Sequence, residues 1–210
     1  MFGSILDDVY QSICSNTNTL TGMDLYEFKS GFYEKSVEYM GHSKNLTGIT
    51  ELLVSMYLKN YLIKKNSPLK IENNAKRIGE NGRQNEVDIA FVDPSRWIDC
   101  FNKPKIVTGF SIKNEIGGAQ WQAHEKTSEY CCSIKEKYGS NNLAQDLFRL
   151  ENIKRGSNTP FNSCTIIFEK VDTKYERYLQ TIKRDYPNHY YIILYKNNIP
   201  IWEELSKLEL

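Results

Sequence analysis

Asn85-Glu86-Val87-Asp88-Ile89-Ala90-Phe91-Val92 and Lys105-Ile106-Val107-Thr108-Gly109-Phe110-Ser111-Ile112-Lys113-Asn114-Glu115 decide how this chain is read. Both runs are short, rich in β-branched and aromatic residues and bounded by turn formers, as buried strands are. Asp93-Pro94-Ser95 between them predicts a connecting turn. Each run carries a charge, Asp88 in one and Lys113 in the other. Burying a carboxylate or an ammonium is costly unless the two are paired or bind an ion. Side chains two apart on a strand share a face, so Ser111, Lys113 and Glu115 point the same way. Asp88 joins them if the register permits.

The flanking sequence supplies the rest of an α/β pattern. Upstream, Ile5 to Ile13 and Leu25 to Tyr39 are apolar-periodic at helical spacing and predict a helical lobe over residues 1–47. A longer helix is expected from about Gly48 to Lys65, stopped by Asn66-Ser67-Pro68, with Glu51 in its first turn. Leu69 to Ile78 reads as a strand, and Gly79-Glu80-Asn81-Gly82 as a hairpin turn. Beyond Gly117-Gly118, helices are expected over 119–138 and 143–154, a strand over 164–169, a helix over 175–186 and a strand over 189–195. Helix, three strands, helices, strand, helix, strand is the order of an α/β sandwich around a mixed central sheet.

The 210 residues allow one domain, or one domain with a small accessory lobe. The longest apolar stretch, Leu52 to Ile63, is too short for a bilayer and contains Lys59 and Asn60. The first residues lack a basic segment followed by an apolar one, so no signal peptide is expected. Five cysteines without CxxC spacing fit reduced thiols and a cytoplasmic location better than a disulfide or zinc framework. The three histidines are scattered, and His189, opening an apolar strand, reads as structural. No GxxxxGK[ST], GxGxxG or GxSxG occurs, against a P-loop NTPase, a dinucleotide enzyme and an α/β-hydrolase. A net charge of +1 decides nothing, because a nucleic-acid binder needs a basic face and not a basic total.

Asp88 beside Lys113 suits metal-assisted phosphodiester hydrolysis. That reaction needs a cation against the charge building on phosphoryl oxygens, an activated water and help for the leaving oxygen. Mg²⁺ prefers oxygen ligands and retains waters, so one or two carboxylates suffice. Asp88 is the obvious ligand and the Ile112 carbonyl another. Lys113 would orient water, stabilise the phosphorane, or act as base if its pKa is depressed.

Glu51 on a preceding helix, Asp88 on one strand and Ser111-Ile112-Lys113 on the next resemble the PD-(D/E)xK nuclease superfamily. The resemblance spans roughly residues 48–196 and implies a restriction-endonuclease-like core over 48–210, with 1–47 as a separate lobe. In it Asp88 corresponds to the metal-binding aspartate and Lys113 to the lysine, while Ser111 stands where an acid is usual. Glu115, Glu51 or Glu86 is expected to restore the lost charge, and Gln120, shortly after the lysine, to meet phosphate or a metal-bound water. The implied protein is a Mg²⁺-dependent DNA endonuclease (Mn²⁺ substituting) of restriction or anti-phage defence, working as a homodimer or in a larger defence complex and away from membranes. The alternative is a catalytically degenerate nucleic-acid-binding or assembly subunit of the same fold.

Overall fold

In the computed structural model, residues 2–41, 48–98, 103–126 and 128–208 are described. Three helices come first: α1 (Phe2–Asn16), α2 (Gly22–Met40) and α3 (Ile49–Lys64). A meander follows, β1 (Lys70–Ile78), β2 (Gln84–Ile98) and β3 (Lys103–Lys113), and then α4 (Ala123–Lys126), α5 (Glu129–Tyr138) and α6 (Asn142–Ser157). The chain continues through β4 (Asn162–Ile167), α7 (Thr173–Asp185), β5 (His189–Ile193) and α8 (Ile201–Ser206). The protein is α/β: one five-stranded mixed sheet, ordered β1-β2-β3-β4-β5, with helices on both faces. β1, β2 and β3 pair antiparallel, whereas β3, β4 and β5 run parallel because helical crossovers connect them. No helix among the described residues is long and apolar enough to cross a membrane.

One face of the sheet is closed by α3. Leu53, Tyr57, Leu58 and Tyr61 of that helix pack on Ile89, Phe91, Phe110, Ile112 and Ile166. Val9, Ile13, Leu25 and Phe32 of α1 and α2 belong to the same buried cluster, so the N-terminal helices share the core of the sheet. The lobe boundary expected near residue 47 lies outside the described residues. A capping box at Thr21 and Asp24 starts α2, and Gly41, at φ 73°, ends it.

The other face is closed by α6, whose Leu150 and Ile153 cover Ala75, Val87, Ala90 and Val92. This helix is pinned to the β1–β2 turn by backbone contact. A Cβ at Gly156 would lie 2.4 Å from the carbonyl carbon of Gly79, and the Asn152 carbonyl accepts from the Glu80 N–H at 2.9 Å.

Two expectations are corrected. Asp93-Pro94-Ser95 does not turn the chain: β2 runs on to Ile98, and the register passes from Asp93↔Lys105 to Trp97↔Pro104. The extra residues bulge from a strand near the sheet's margin, which a proline tolerates because no ladder bond is asked of it. Nor is 119–138 one helix. The chain stays irregular to Gln122, and α5 starts afresh where Ser128 caps the Cys131 N–H. Glu125 fixes that irregular segment by accepting from the Gln122 N–H at 2.7 Å while pairing with Arg149 of α6 at 3.0 Å. No disulfide joins the described cysteines, Cys14, Cys131, Cys132 and Cys164; Cys100 lies outside the described residues.

Under α6 the sheet centre is polar. His189 is buried, with Nδ1 2.8 Å from Ser163 Oγ and Nε2 3.0 Å from Thr165 Oγ1. Lys154, which can only donate, gives a proton to Ser163 Oγ at 3.1 Å. Both ring nitrogens are thus partnered by hydroxyls, which can donate or accept, whichever nitrogen carries the proton. Burial, with the Lys154 charge, holds the imidazole down at about 3. The unfolded chain takes up a proton near pH 6.5 that the folded chain refuses, so stability falls as the pH drops from 6.5 towards 3 and levels below that. The His189 share is roughly 1 kcal/mol per pH unit. Urea unfolding at pH 7 and pH 5 should show a drop smaller by roughly 2 kcal/mol in His189→Gln. Equal drops in the two proteins would mean that His189 is not held neutral.

Candidate active site

The site forms where the strand alternation of β2 slips. Asn74 of β1 has φ 50°, a left-handed conformation that asparagine tolerates, and the β1–β2 ladder skips it and Asp88 opposite. Val87 then packs with Leu150 under α6, while Ile89 packs with Phe91 under α3. Between them, the Asp88 carboxylate turns into the gap beyond the last β2–β3 pair, Ile89↔Phe110. Its Oδ2 accepts from the Ile112 backbone N–H at 2.6 Å and from Ser111 Oγ at 3.3 Å. Oδ1 has no hydrogen-bond partner among the described residues. A strand residue presents its N–H and C=O to the same edge, so the Ile112 carbonyl faces this gap too.

Lys113 reaches the same place from β3, its ammonium 4.0 Å from Asp88 Oδ2 and 3.1 Å from Oδ1 of Asp146. Asp146, on α6, is only 4% exposed, and its Oδ2 is buried without a hydrogen bond. Burial alone would lower the Lys113 pKa, but Asp146 and then Asp88 outweigh it and hold the ammonium above its ordinary value. The condition set for Lys113 to act as a base, a depressed pKa, is therefore not met in this arrangement. Burial pushes the Asp146 carboxyl up; Lys113 opposes that shift, and the Asp88 charge adds to it.

Glu51 faces Asp88 across a cleft of about 180 Å³ that Leu52, Ser55, Asn73 and Asn74 also line. Partial burial, then the nearby Asp88 charge, raise its pKa against the pull of Lys113. Gly48, with no side-chain cap, precedes α3, so Glu51 meets the unsatisfied N–H groups of the first turn.

Asp88, Lys113, Ser111, Glu51 and the Ile112 carbonyl thus converge. Glu115 and Gln120 do not. β3 ends at Lys113, so face alternation stops before Glu115, which is exposed and whose carbonyl accepts from Asn142. Gln120 is exposed in the irregular segment, and its carbonyl accepts from Gln145. Glu86 is also exposed and pairs with Lys76 at 3.4 Å. The residue that sequence reasoning missed is Asp146. Its signal is present: an acid three residues after Leu143 and four before Leu150, on the stripe of α6 that is otherwise core.

Among the described residues no three acidic, histidine or cysteine side chains lie close enough to grip one ion together. A hard divalent cation needs only one or two carboxylates besides carbonyl oxygens and waters. The open Oδ1 of Asp88, the Ile112 carbonyl and the unpartnered Oδ2 of Asp146 fit that chemistry. Compared with protein-family models, curated proteins and solved structures, the chain matches none.

The buried pair should couple strongly. Lys113→Met leaves Asp146 buried without its cation and should cost roughly 3–5 kcal/mol in urea unfolding. Adding Asp146→Asn should return a large part of that cost, with a coupling of about 2–3 kcal/mol. Additive losses would show that the two groups do not depend on each other.

Proposed function

We propose that the chain is a metal-dependent nuclease of the PD-(D/E)xK type that hydrolyses DNA phosphodiesters. The observation that carries this reading is the meeting of Asp88, Lys113 and Asp146 at the open end of the β2–β3 ladder. The sequence of elements adds support: α3, the β1–β3 meander, α6 and a parallel β4 is the order that the family resemblance implies.

Asp88 and the Ile112 carbonyl would hold Mg²⁺ or Mn²⁺, with Glu51 across the cleft engaging its waters. The ion would supply positive charge to the phosphoryl oxygens and lower the pKa of an attacking water. Asp146 provides the second carboxylate that Ser111 cannot, from a helix rather than the strand. Ser111 keeps a smaller part, donating to Asp88 and fixing its rotamer. The Lys113 ammonium stands ready for charge that develops only in the transition state. Because Lys113 is held in its charged form, the proton of the attacking water would pass to solvent or to the substrate phosphate and not to the lysine amine.

A role in restriction or another anti-phage defence, with a homodimer to cut both strands, fits a nuclease acting on duplex DNA. The second reading is a nucleic-acid-binding subunit that has lost catalysis. It is favoured by the Lys113–Asp146 ion pair, which already neutralises the lysine.

Supercoiled plasmid with Mg²⁺ or Mn²⁺ should be nicked or linearised, with EDTA and Asp88→Ala abolishing the reaction. Lys113→Met should slow single-turnover cleavage by about 10²–10³. Asp146→Asn should be similarly damaging, while Glu115→Gln and Gln120→Ala stay within about twofold of the parent. No metal-dependent cutting, or undiminished cutting by Asp88→Ala, would leave the binding subunit as the better reading.

A further inference from the structure

A groove of about 660 Å³ lies between α3 and the edge strand β1, next to the cleft that holds Glu51 and Asp88. Ser55 and Asn73 line both hollows, and the 3.0 Å hydrogen bond from Ser55 Oγ to Asn73 Oδ1 ties helix to strand between them, so a strand passing from one hollow to the other crosses over that pair. On the helix side, Leu52, Ser55, Lys59 and Ile63 follow at spacings of three and four, one exposed stripe leading away from the site. From Leu52 to Ile63 this stripe covers about 16 Å at 1.5 Å per residue. Leu69 and Lys70 line the opposite wall.

Three observations define what the groove accepts. Its lining contains two lysines, Lys59 and Lys70, and no acid. Both lysines are exposed, and neither forms an ion pair with a described residue. Beside them lies apolar surface, with Ile63 59% exposed. Amides and hydroxyls of Asn66, Ser67 and Asn73 complete the walls. Unpaired cations beside apolar and amide surface match a chain of phosphates carrying flat, partly apolar rings. The volume is that of a site for a small ligand, enough for one or two nucleotides and too little for a double helix, whose major groove alone is about 12 Å wide.

We propose that this groove guides a single nucleic-acid strand between Asp88 and the Lys59–Lys70 pair. The inference rests on the nuclease reading only in taking Asp88 as the point of cutting. The lysines contact two phosphates, and the aliphatic side chains press on base faces. Because phosphate contacts carry no sequence information, binding is indifferent to sequence. A duplex would have to open locally for one strand to enter.

The test is salt-titrated binding in EDTA to fluorescein-labelled oligo-dT, oligo-U and a duplex of the same length. Lys59→Glu/Lys70→Glu should weaken single-strand binding about tenfold, and Lys59→Gln/Lys70→Gln should flatten the slope of log K against log salt by about 1.4, or 0.7 for each phosphate. The duplex, too wide to enter the groove, should lose clearly less than the single strand. Equal losses with oligo-dT and oligo-U support a strand of either sugar, and a loss confined to one names the sugar. Unchanged single-strand affinity and slope, or an equal loss for the duplex, overturns the proposal. So does a variant that keeps its oligonucleotides and loses self-association in sedimentation, because a second copy would then be the occupant. Parental protein that binds a strand through the groove but cuts nothing with Mg²⁺ or Mn²⁺ leaves the groove standing and sinks the nuclease reading. Metal-dependent cutting indifferent to both lysines does the reverse.

Discussion

A lysine ammonium held in the interior between two carboxylates constrains this structure more than any other group. Lys113 is only 19% exposed, and its partner Asp146 only 4%. An ion so placed survives only if its partners are delivered accurately, because an uncompensated buried charge costs several kcal/mol. Asp88 arrives from the neighbouring strand, Asp146 from α6 above. The position of α6 rests in turn on the close approach of Gly156 to Gly79 and on the bonds from Asn152 to the β1–β2 turn. Backbone contacts distant from the site thus set the carboxylate geometry around Lys113.

The two faces of the sheet serve different ends. Beneath α3 the packing is almost wholly apolar and is shared with α1 and α2, which makes that side the stable floor. Beneath α6, Ser111, Ser163, Thr165 and His189 lie buried at the sheet centre, and polar interiors demand defined partners. The His189 network meets that demand completely. The Asp146 carboxylate does not, since Oδ2 stays unpartnered. A fully bonded network rigidifies a core, whereas a buried oxygen left without a donor carries a desolvation cost.

The opening itself comes from an imperfection in pairing. At Asn74 the β1–β2 ladder misses a step, and β2 parts from β3 one residue before Asp88 would pair. The Ile112 N–H that β2 no longer engages is taken by the Asp88 side chain, so a lost backbone bond becomes the hold on the carboxylate. Distorted strand conformations of this sort recur beside functional sites because they re-aim side chains that regular pleating would bury or expose.

The sequence by itself determined the order of elements, the mixed α/β class and the pairing of Asp88 with Lys113. These follow from local regularities: period-two and period-3.6 hydrophobicity, turn residues, and charges set within apolar runs. It also held a readable trace of Asp146, an acid on the buried stripe of α6. Tertiary structure alone decided the rest. β3 ends at Lys113, where β4 leaves it, and so Glu115 falls outside the site although alternation would include it. The 119–138 helix breaks because buried Glu125 is bonded to the Gln122 N–H and to Arg149, a contact 24 residues away. Period and propensity report only on neighbours in the chain. A second buried acid beside Lys113, a bulge in place of a turn and a groove between helix and edge strand are set by residues far apart in sequence, and only their packing reveals them.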